Sequence, residues 1–198
     1  SEDKAVSVGY VFYDKGYYSD GWRYLEAAPA DLRVVNGLPT VDSHTRGYAS
    51  APKAYVFGYC RSSDESRNNY VGRDSKAVPS TPEGKIQTKR LVEAMGDMAY
   101  TQESGAEKTG DYAARLCSIL EYEFDGVVYD DWFLPSLDDL DLMYETLYLK
   151  GIGGIEANAY HSSTEYSSIF VYILNFNSGG HYSPNRFYSD LIRPIRAF

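Results

Sequence analysis

The chain has 198 residues, 43% of them hydrophobic and 24% charged. That composition excludes a disordered tail and suits one globular unit, or one carrying a large insertion. A net charge of -9, from 19 basic against 28 acidic residues, argues against a nucleic-acid binder, which needs clustered Lys and Arg.

Residues 5–13 are rich in β-branched and aromatic side chains and read as an opening strand. Asp14–Gly21 reads as a turn-rich loop and Trp22–Ala28 as a second strand. Residues 30–53 are broken by Gly37-Leu38-Pro39 and Ala51-Pro52, and Ala54–Cys60 is a third strand candidate. Arg61–Glu83 is polar and punctuated by Pro79 and Pro82, as in a long surface loop, so a loop-rich insertion is expected around residues 30–84 of a single domain spanning 1–198.

Three helices follow. Thr88–Met98 places Leu91, Val92, Met95 and Met98 at helical spacing, and Asp111–Tyr122 does so for Ala113, Leu116, Cys117 and Leu120. Ser136–Leu149 is the clearest. Ser136 and Asp139 have the spacing of a capping box, Leu140, Met143, Tyr144 and Leu147 form the inner stripe, and Gly151, Gly153 and Gly154 end it. Beyond Ala157, Ala159–Ser163, Ile169–Phe176 and Leu191–Phe198 read as short strands between Ser, Asn and Gly stretches. Strands, then helices, then strands indicate an α+β layout.

Chemistry-bearing patterns are sparse. Cys60 and Cys117 show no metal or redox spacing, and Cys117 reads as a buried free thiol. No nucleophile signature surrounds any Ser or Cys. The carboxylates Glu121, Glu123, Asp125, Asp130 and Asp131 lack calcium-loop spacing and read as a solvated acidic loop. Trp132-Phe133-Leu134-Pro135 reads as core leading into the third helix, with Trp132 and Leu134 beneath it. Arg193 and Arg196, if buried with forked partners, would pin a terminal strand. No run reaches the roughly 18 apolar residues of a membrane-spanning helix. A start at Ser1 without a basic-then-apolar leader is compatible with a processed export product.

Asp131-Trp132-Phe133-Leu134-Pro135-Ser136, then Asp139-Leu140 and Met143-Tyr144, followed by Gly153-Gly154, Tyr160-His161-Ser162-Ser163-Thr164-Glu165, Phe176, Gly179 and the closing Arg-Pro-Ile-Arg-Ala-Phe, resemble a bacterial family of C-type-lectin-like fold in the formylglycine-generating-enzyme-like branch. Phe12–Gly16 and Asp20–Ala28 look like that family's opening strand, loop and second strand, so the resemblance leaves out mainly residues 30–80. His161 stands where the family usually has Trp. The resemblance implies paired terminal strands, flanking helices and a ligand-binding C-terminal surface. The enzymes of this branch use a reactive cysteine pair near the C-terminus, and this chain has no Cys after 117, so their activity is not carried over. Sugar-binding C-type lectins hold Ca²⁺ through motifs absent here, so no metal and no cofactor is expected.

Some members are variable proteins of diversity-generating retroelements, which randomise adenines, often in AAC or AAT codons. Such codons cannot yield Glu, Lys, Gln, Met or Trp. Residues 166–198 contain none of the five, which make up 27 of the first 165 residues. At that rate a stretch of this length lacks all five in about three cases per thousand, before the ordinary depletion of Lys and Glu in strands is allowed for. Tyr166, Ser167, Ser168, Ile169, Phe170, Tyr172, His181, Tyr182, Ser183, Asn185, Phe187, Tyr188 and Ser189 mix aromatic anchors with small polar groups, as antibody paratopes do. Those thirteen are the candidate ligand-binding residues, with Leu174 and Phe176 as inward anchors. Arg186, Arg193 and Arg196 against Asp190 give the segment +2, suggesting a neutral-to-basic aromatic face on an acidic body. The expected function is therefore a non-enzymatic receptor- or adhesin-type protein. It would be extracellular or on a cell surface, lipid-anchored or phage-displayed, with a protein or glycan ligand and no nucleic-acid partner. The alternatives are an enzyme related to the formylglycine-generating branch and a purely structural adhesive domain.

Overall fold

The computed structural model describes residues 6–59 and 81–198. Cys60 and residues 61–80, the bulk of the expected surface loop, lie outside the described residues.

The chain opens as a hairpin of β1 (Tyr10–Ser19) and β2 (Trp22–Ala27), so Asp14–Ser19 is strand rather than loop. Cross-strand contacts carry the strand through that polar stretch. Arg23 forks onto Asp14 at 2.8 and 2.9 Å, and the Lys15 ammonium sits 4.0 Å from the Trp22 ring centroid. Both turn residues, Asp20 and Gly21, have positive φ (54° and 84°), which suits the right-handed twist of a tight hairpin. A second hairpin, β3 (Arg33–Val35) and β4 (Leu38–Thr40), turns at Asn36-Gly37 in the same way. The following β5 (Tyr55–Val56) is shorter than expected.

α1 (Glu83–Met95) starts five residues earlier than its apolar spacing suggests and ends at Gly96, whose φ is +68°, so Met98 lies beyond the helix and is exposed. β6 (Ala99–Tyr100) and β7 (Lys108–Thr109) form a small hairpin, α2 (Ala113–Ser118) is a shorter helix than expected, and β8 (Tyr122–Phe124) pairs with β9 (Val127–Tyr129). α3 (Leu137–Thr146) is followed by β10 (Ala159–Glu165), β11 (Val171–Asn175), β12 (Gly180–Tyr182), β13 (Ser189–Asp190) and β14 (Ile195–Ala197).

The two ends of the chain meet in one sheet of order β1-β2-β14, where Ile195, Arg196 and Ala197 pair with Ala27, Glu26 and Leu25. Phe198 extends the pairing: its carbonyl accepts from the amides of Arg23 and Tyr24, and its amide donates to the Tyr24 carbonyl. A second antiparallel sheet has order β10-β11-β12, and β13 pairs with β5. The fold mixes helix and antiparallel sheet, which is compatible with an α+β layout, although two short hairpins, β6-β7 and β8-β9, fall between the three helices.

Two apolar clusters form the core. The first joins α1, α2, Phe57, Trp132 and Leu134; the second joins α3, Phe133, Tyr160, Leu174, Phe176 and Ile195. Trp132 and Leu134 therefore pack on α1 and α2, and Phe133 is the residue beneath α3. Successive side chains of an extended segment point to opposite sides, so one run serves both clusters. Residues 30–59 also reach the core, through Leu32, Val41, Phe57 and Tyr59.

The N-termini of α1 and α3 abut. A Cβ on Gly84 would lie 2.6 Å from the Leu134 carbonyl oxygen, and the Thr88 hydroxyl accepts from the Leu134 amide at 2.9 Å. The capping box of α3 is formed, with Ser136 Oγ accepting from the Asp139 amide and Asp139 Oδ2 accepting from the Ser136 amide. Ser136→Ala should cost about 1 kcal/mol in chemical denaturation. Burial, aided by the charges of Glu83 and Asp138 and opposed by the Ser136 hydrogen bonds, pushes the Asp139 carboxyl up from 3.8 to about 6. The folded protein thus holds this proton more tightly than the unfolded chain. Its contribution should be complete below 3.8 and lost as pH rises to about 6, the window in which NMR should find Asp139 titrating. Among the described residues no helix is long and apolar enough to cross a membrane.

Candidate functional site

The candidate surface stands on β10, a polar strand that is nevertheless buried from Tyr160 to Glu165. Each polar side chain there has an internal partner, as burial demands. The Ser163 hydroxyl donates to Gln87, the Ser162 hydroxyl donates to the Tyr172 carbonyl, and the Thr164 hydroxyl accepts from the Leu137 amide. The Tyr160 hydroxyl donates to Asp31 and accepts from the Glu156 amide. His161 Nε2 lies 2.7 Å from the Tyr55 carbonyl oxygen and 3.3 Å from the Asp190 amide nitrogen, and burial holds the imidazole below its ordinary pKa. Glu165 forms a buried ion pair with Arg186.

Beyond Glu165 the chain makes a tight loop. The amides of Tyr166 and Ser167 both donate to the Phe170 carbonyl, and Ser167 Oγ accepts from the amides of Ile169 and Phe170. A second loop, residues 183–188, lies alongside it. Val171 and Arg186 donate amides to the Pro184 and Ile169 carbonyls respectively, and Phe170 pairs with Asn185. Arg186 lies wholly buried beneath both loops. Its guanidinium donates to the Ser167 and Gly58 carbonyls and sits 5.0 Å from the Phe57 ring centroid.

Of the residues named from sequence, Tyr166, Phe170, His181, Tyr182, Ser183, Phe187, Tyr188 and Ser189 are exposed. Ser167, Ser168, Ile169, Tyr172 and Asn185 are half-buried, while Leu174 and Phe176 are buried as anchors. The rings form two adjoining groups. Tyr166 meets Tyr172 and Phe170 edge-on at 5.4 and 6.5 Å, and Phe187 lies against Tyr188 at 4.6 Å. His181 does not join them. In β12 it opposes Leu174 and its Nε2 lies 2.7 Å from Asp141 Oδ1 of α3, whereas Tyr182 opposes Ile173 on the other side of the sheet.

The charge expected for this face is corrected by the structure. All three arginines of the segment are buried and ion-paired: Arg186 with Glu165, Arg193 with Asp31, and Arg196 with Glu26 and Asp131. The formal +2 is spent inside the molecule, and the exposed face is neutral and aromatic. Asp131, read as part of an acidic loop, instead helps to hold Arg196, while Glu121, Glu123 and Asp125 are exposed. Among the described residues no group of three or more His, Cys, Asp or Glu side chains could hold a metal ion.

The sequence reading missed the loop between β6 and β7. Gln102, Glu103 and Ser104 share a cavity of about 380 Å³ with Asn185 and Phe187. Only their turn-forming composition marks them in the sequence, and nothing local ties them to a loop more than 80 residues away. A second cavity, of about 300 Å³, is lined by α1 residues, Ser118 and residues 130–133. Cys117 is wholly buried with its thiol pushed up by burial, so neither it nor the buried His161 presents a reactive group to solvent.

No protein-family model matches the chain, and no curated protein matches it. What the geometry defines is an α+β protein bearing an exposed aromatic surface on two cross-bonded loops, above a buried polar strand.

Proposed function

We propose that this chain is a non-enzymatic ligand-binding module of C-type-lectin-like fold, in the formylglycine-generating-enzyme-like branch. In this reading it is displayed outside a cell or on a phage. Its C-terminal segment forms a diversified recognition surface, as in variable proteins of diversity-generating retroelements, and its ligand is a protein or glycan. The pairing of β14 with β2 beside β1 supports the fold, as do the motif residues that hold it, Phe133, Ser136, Arg193 and Arg196.

One observation carries the functional reading. Within residues 166–198 the side chains that hold the frame, Leu174, Phe176, Arg186, Arg193 and Arg196, are buried, whereas Tyr166, Phe170, Phe187 and Tyr188 project from the loops. A stretch built that way can change its exposed residues without disturbing the fold. Contiguous exposed apolar surface marks interaction sites, and Tyr with Ser gives contact area at low entropic cost.

The test is the combined Tyr166→Ser, Tyr182→Ser, Phe187→Ser and Tyr188→Ser variant. Each change should alter stability by no more than about 0.5 kcal/mol. Panning a displayed random-peptide library should enrich binders on the parent that the variant no longer holds, with the aromatic positions contributing most. An unfolded variant would show these rings to be part of the core and end the binding-surface reading. Diversification has its own check: a reverse-transcriptase gene beside an imperfect copy of the 3′ coding end, differing only at adenines.

A further inference from the structure

We propose that Glu103 and Phe187 form a subsite for a cationic side chain, arginine or lysine, of a protein ligand; this rests on the binding-face reading above. The two residues line one cavity of about 380 Å³ with Gln102, Ser104 and Asn185. Phe187 is 41% exposed, so its ring is open to a ligand. Its position is nonetheless fixed. Asn185 Oδ1 accepts from the Tyr59 hydroxyl and from the Phe187 amide, and the Tyr188 amide donates to the Asn185 carbonyl. Packing against Tyr188 at 4.6 Å restrains the ring further.

Glu103 is half-buried and forms no ion pair among the described residues. It lies close enough to Tyr59 that its charge, after burial, helps push that hydroxyl up to about 12. An aromatic face and a carboxylate sharing one cavity suit a cation that is also flat or amphipathic. A guanidinium can stack on the ring while it donates to the carboxylate, and a lysine can lay its stem on the ring with its ammonium at Glu103. Gln102 and Ser104 add polar groups at the rim.

The electrostatics point the same way. The chain carries -9 overall, and the three arginines of the C-terminal segment are buried in ion pairs, so none of them competes for Glu103. An acidic body steers cationic partners toward the face. Glu103 also lies outside residues 166–198, and randomised AAC or AAT codons cannot encode Glu. In that reading the part of the protein outside residues 166–198 supplies the carboxylate of the subsite, while its aromatic half, Phe187, belongs to the exchangeable segment.

The test uses peptides selected on the parent from a displayed random library. They should be enriched in Arg or Lys. Replacing the selected Arg by citrulline, which keeps its shape and removes the charge, should weaken binding to the parent by about tenfold and binding to Glu103→Gln hardly at all. Glu103→Gln should melt with the parent. Peptides without Arg or Lys, or a citrulline loss equal on both proteins, would overturn the cationic subsite while leaving the binding face in place. A library that yields no peptide, or only peptides indifferent to Tyr166→Ser and Tyr182→Ser, would overturn the face and the subsite together.

Discussion

Arg196→Ala should destabilise the protein by about 3–5 kcal/mol, the usual consequence of removing one partner from a buried charge pair. Arg196 has no exposed surface. Its guanidinium donates to Glu26 at 2.7 Å, to the Val6 carbonyl at 3.0 Å and to Asp131 at 3.0 Å, and it lies 4.8 Å from the Phe198 ring centroid. Glu26 is equally buried. Its other oxygen accepts from the Ser7 hydroxyl and from the amides of Val8 and Gly9. Without Arg196, that carboxylate keeps its neutral donors and loses its counter-charge. At roughly 2–4 °C per kcal/mol for a chain of this length, the melting temperature should fall by about 6–20 °C. Arg196→Lys should fall between the two, since an ammonium cannot fork or stack as the guanidinium does. A double variant with Glu26→Gln should recover part of the loss. An Arg196→Ala protein that melts with the parent would show that the network does not hold the terminal strands.

Trp132→Ala should cost a similar amount, about 3–5 kcal/mol, through a cavity in the first core cluster. The indole is 3% exposed, donates to the Tyr129 carbonyl at 3.0 Å and packs among side chains of α1 and α2. Trp132→Phe, which retains a ring and loses the N–H, should cost less. The expected observation is a cooperative melt at much lower temperature, or no folded protein. Parent-like melting of Trp132→Ala would place this run on the surface.

Different parts of the molecule were legible for different reasons. The capping box of α3 and its apolar stripe could be read directly, because a helix start is decided by residues three apart in the chain. The end of the same helix was not: α3 stops at Thr146, with Leu147 as its C-cap, and Gly151 ends only the 3-10 turn Tyr148–Lys150 that follows. Two hairpin turns, Asp20-Gly21 and Asn36-Gly37, are equally local signals; the sequence places a turn-rich loop at the first and a break at Gly37, but not the tight two-residue turns that the positive φ of both dipeptides favours. The polar stretch 14–19 read as loop because its strand character comes from partners across the hairpin. Tyr160–Glu165 is polar in sequence and buried in the fold, since Gln87, Tyr172, Tyr55 and Asp31 come from elsewhere to satisfy it.

The sequence by itself determined the three helices in the middle of the chain, though not the two hairpins between them, the capping box of α3, the inward anchors Leu174 and Phe176, and the Tyr/Ser-rich composition of the last segment. These depend on period, local hydrogen bonding or residue type. Only the tertiary structure decided that Arg186, Arg193 and Arg196 are internal, that Trp132 and Phe133 serve different cores, that His181 turns to α3, and that Glu103 lines one cavity with Phe187. Charge and burial in those cases depend on groups brought together from distant parts of the chain. A buried arginine and an exposed one are the same letter until the carboxylate facing it is known.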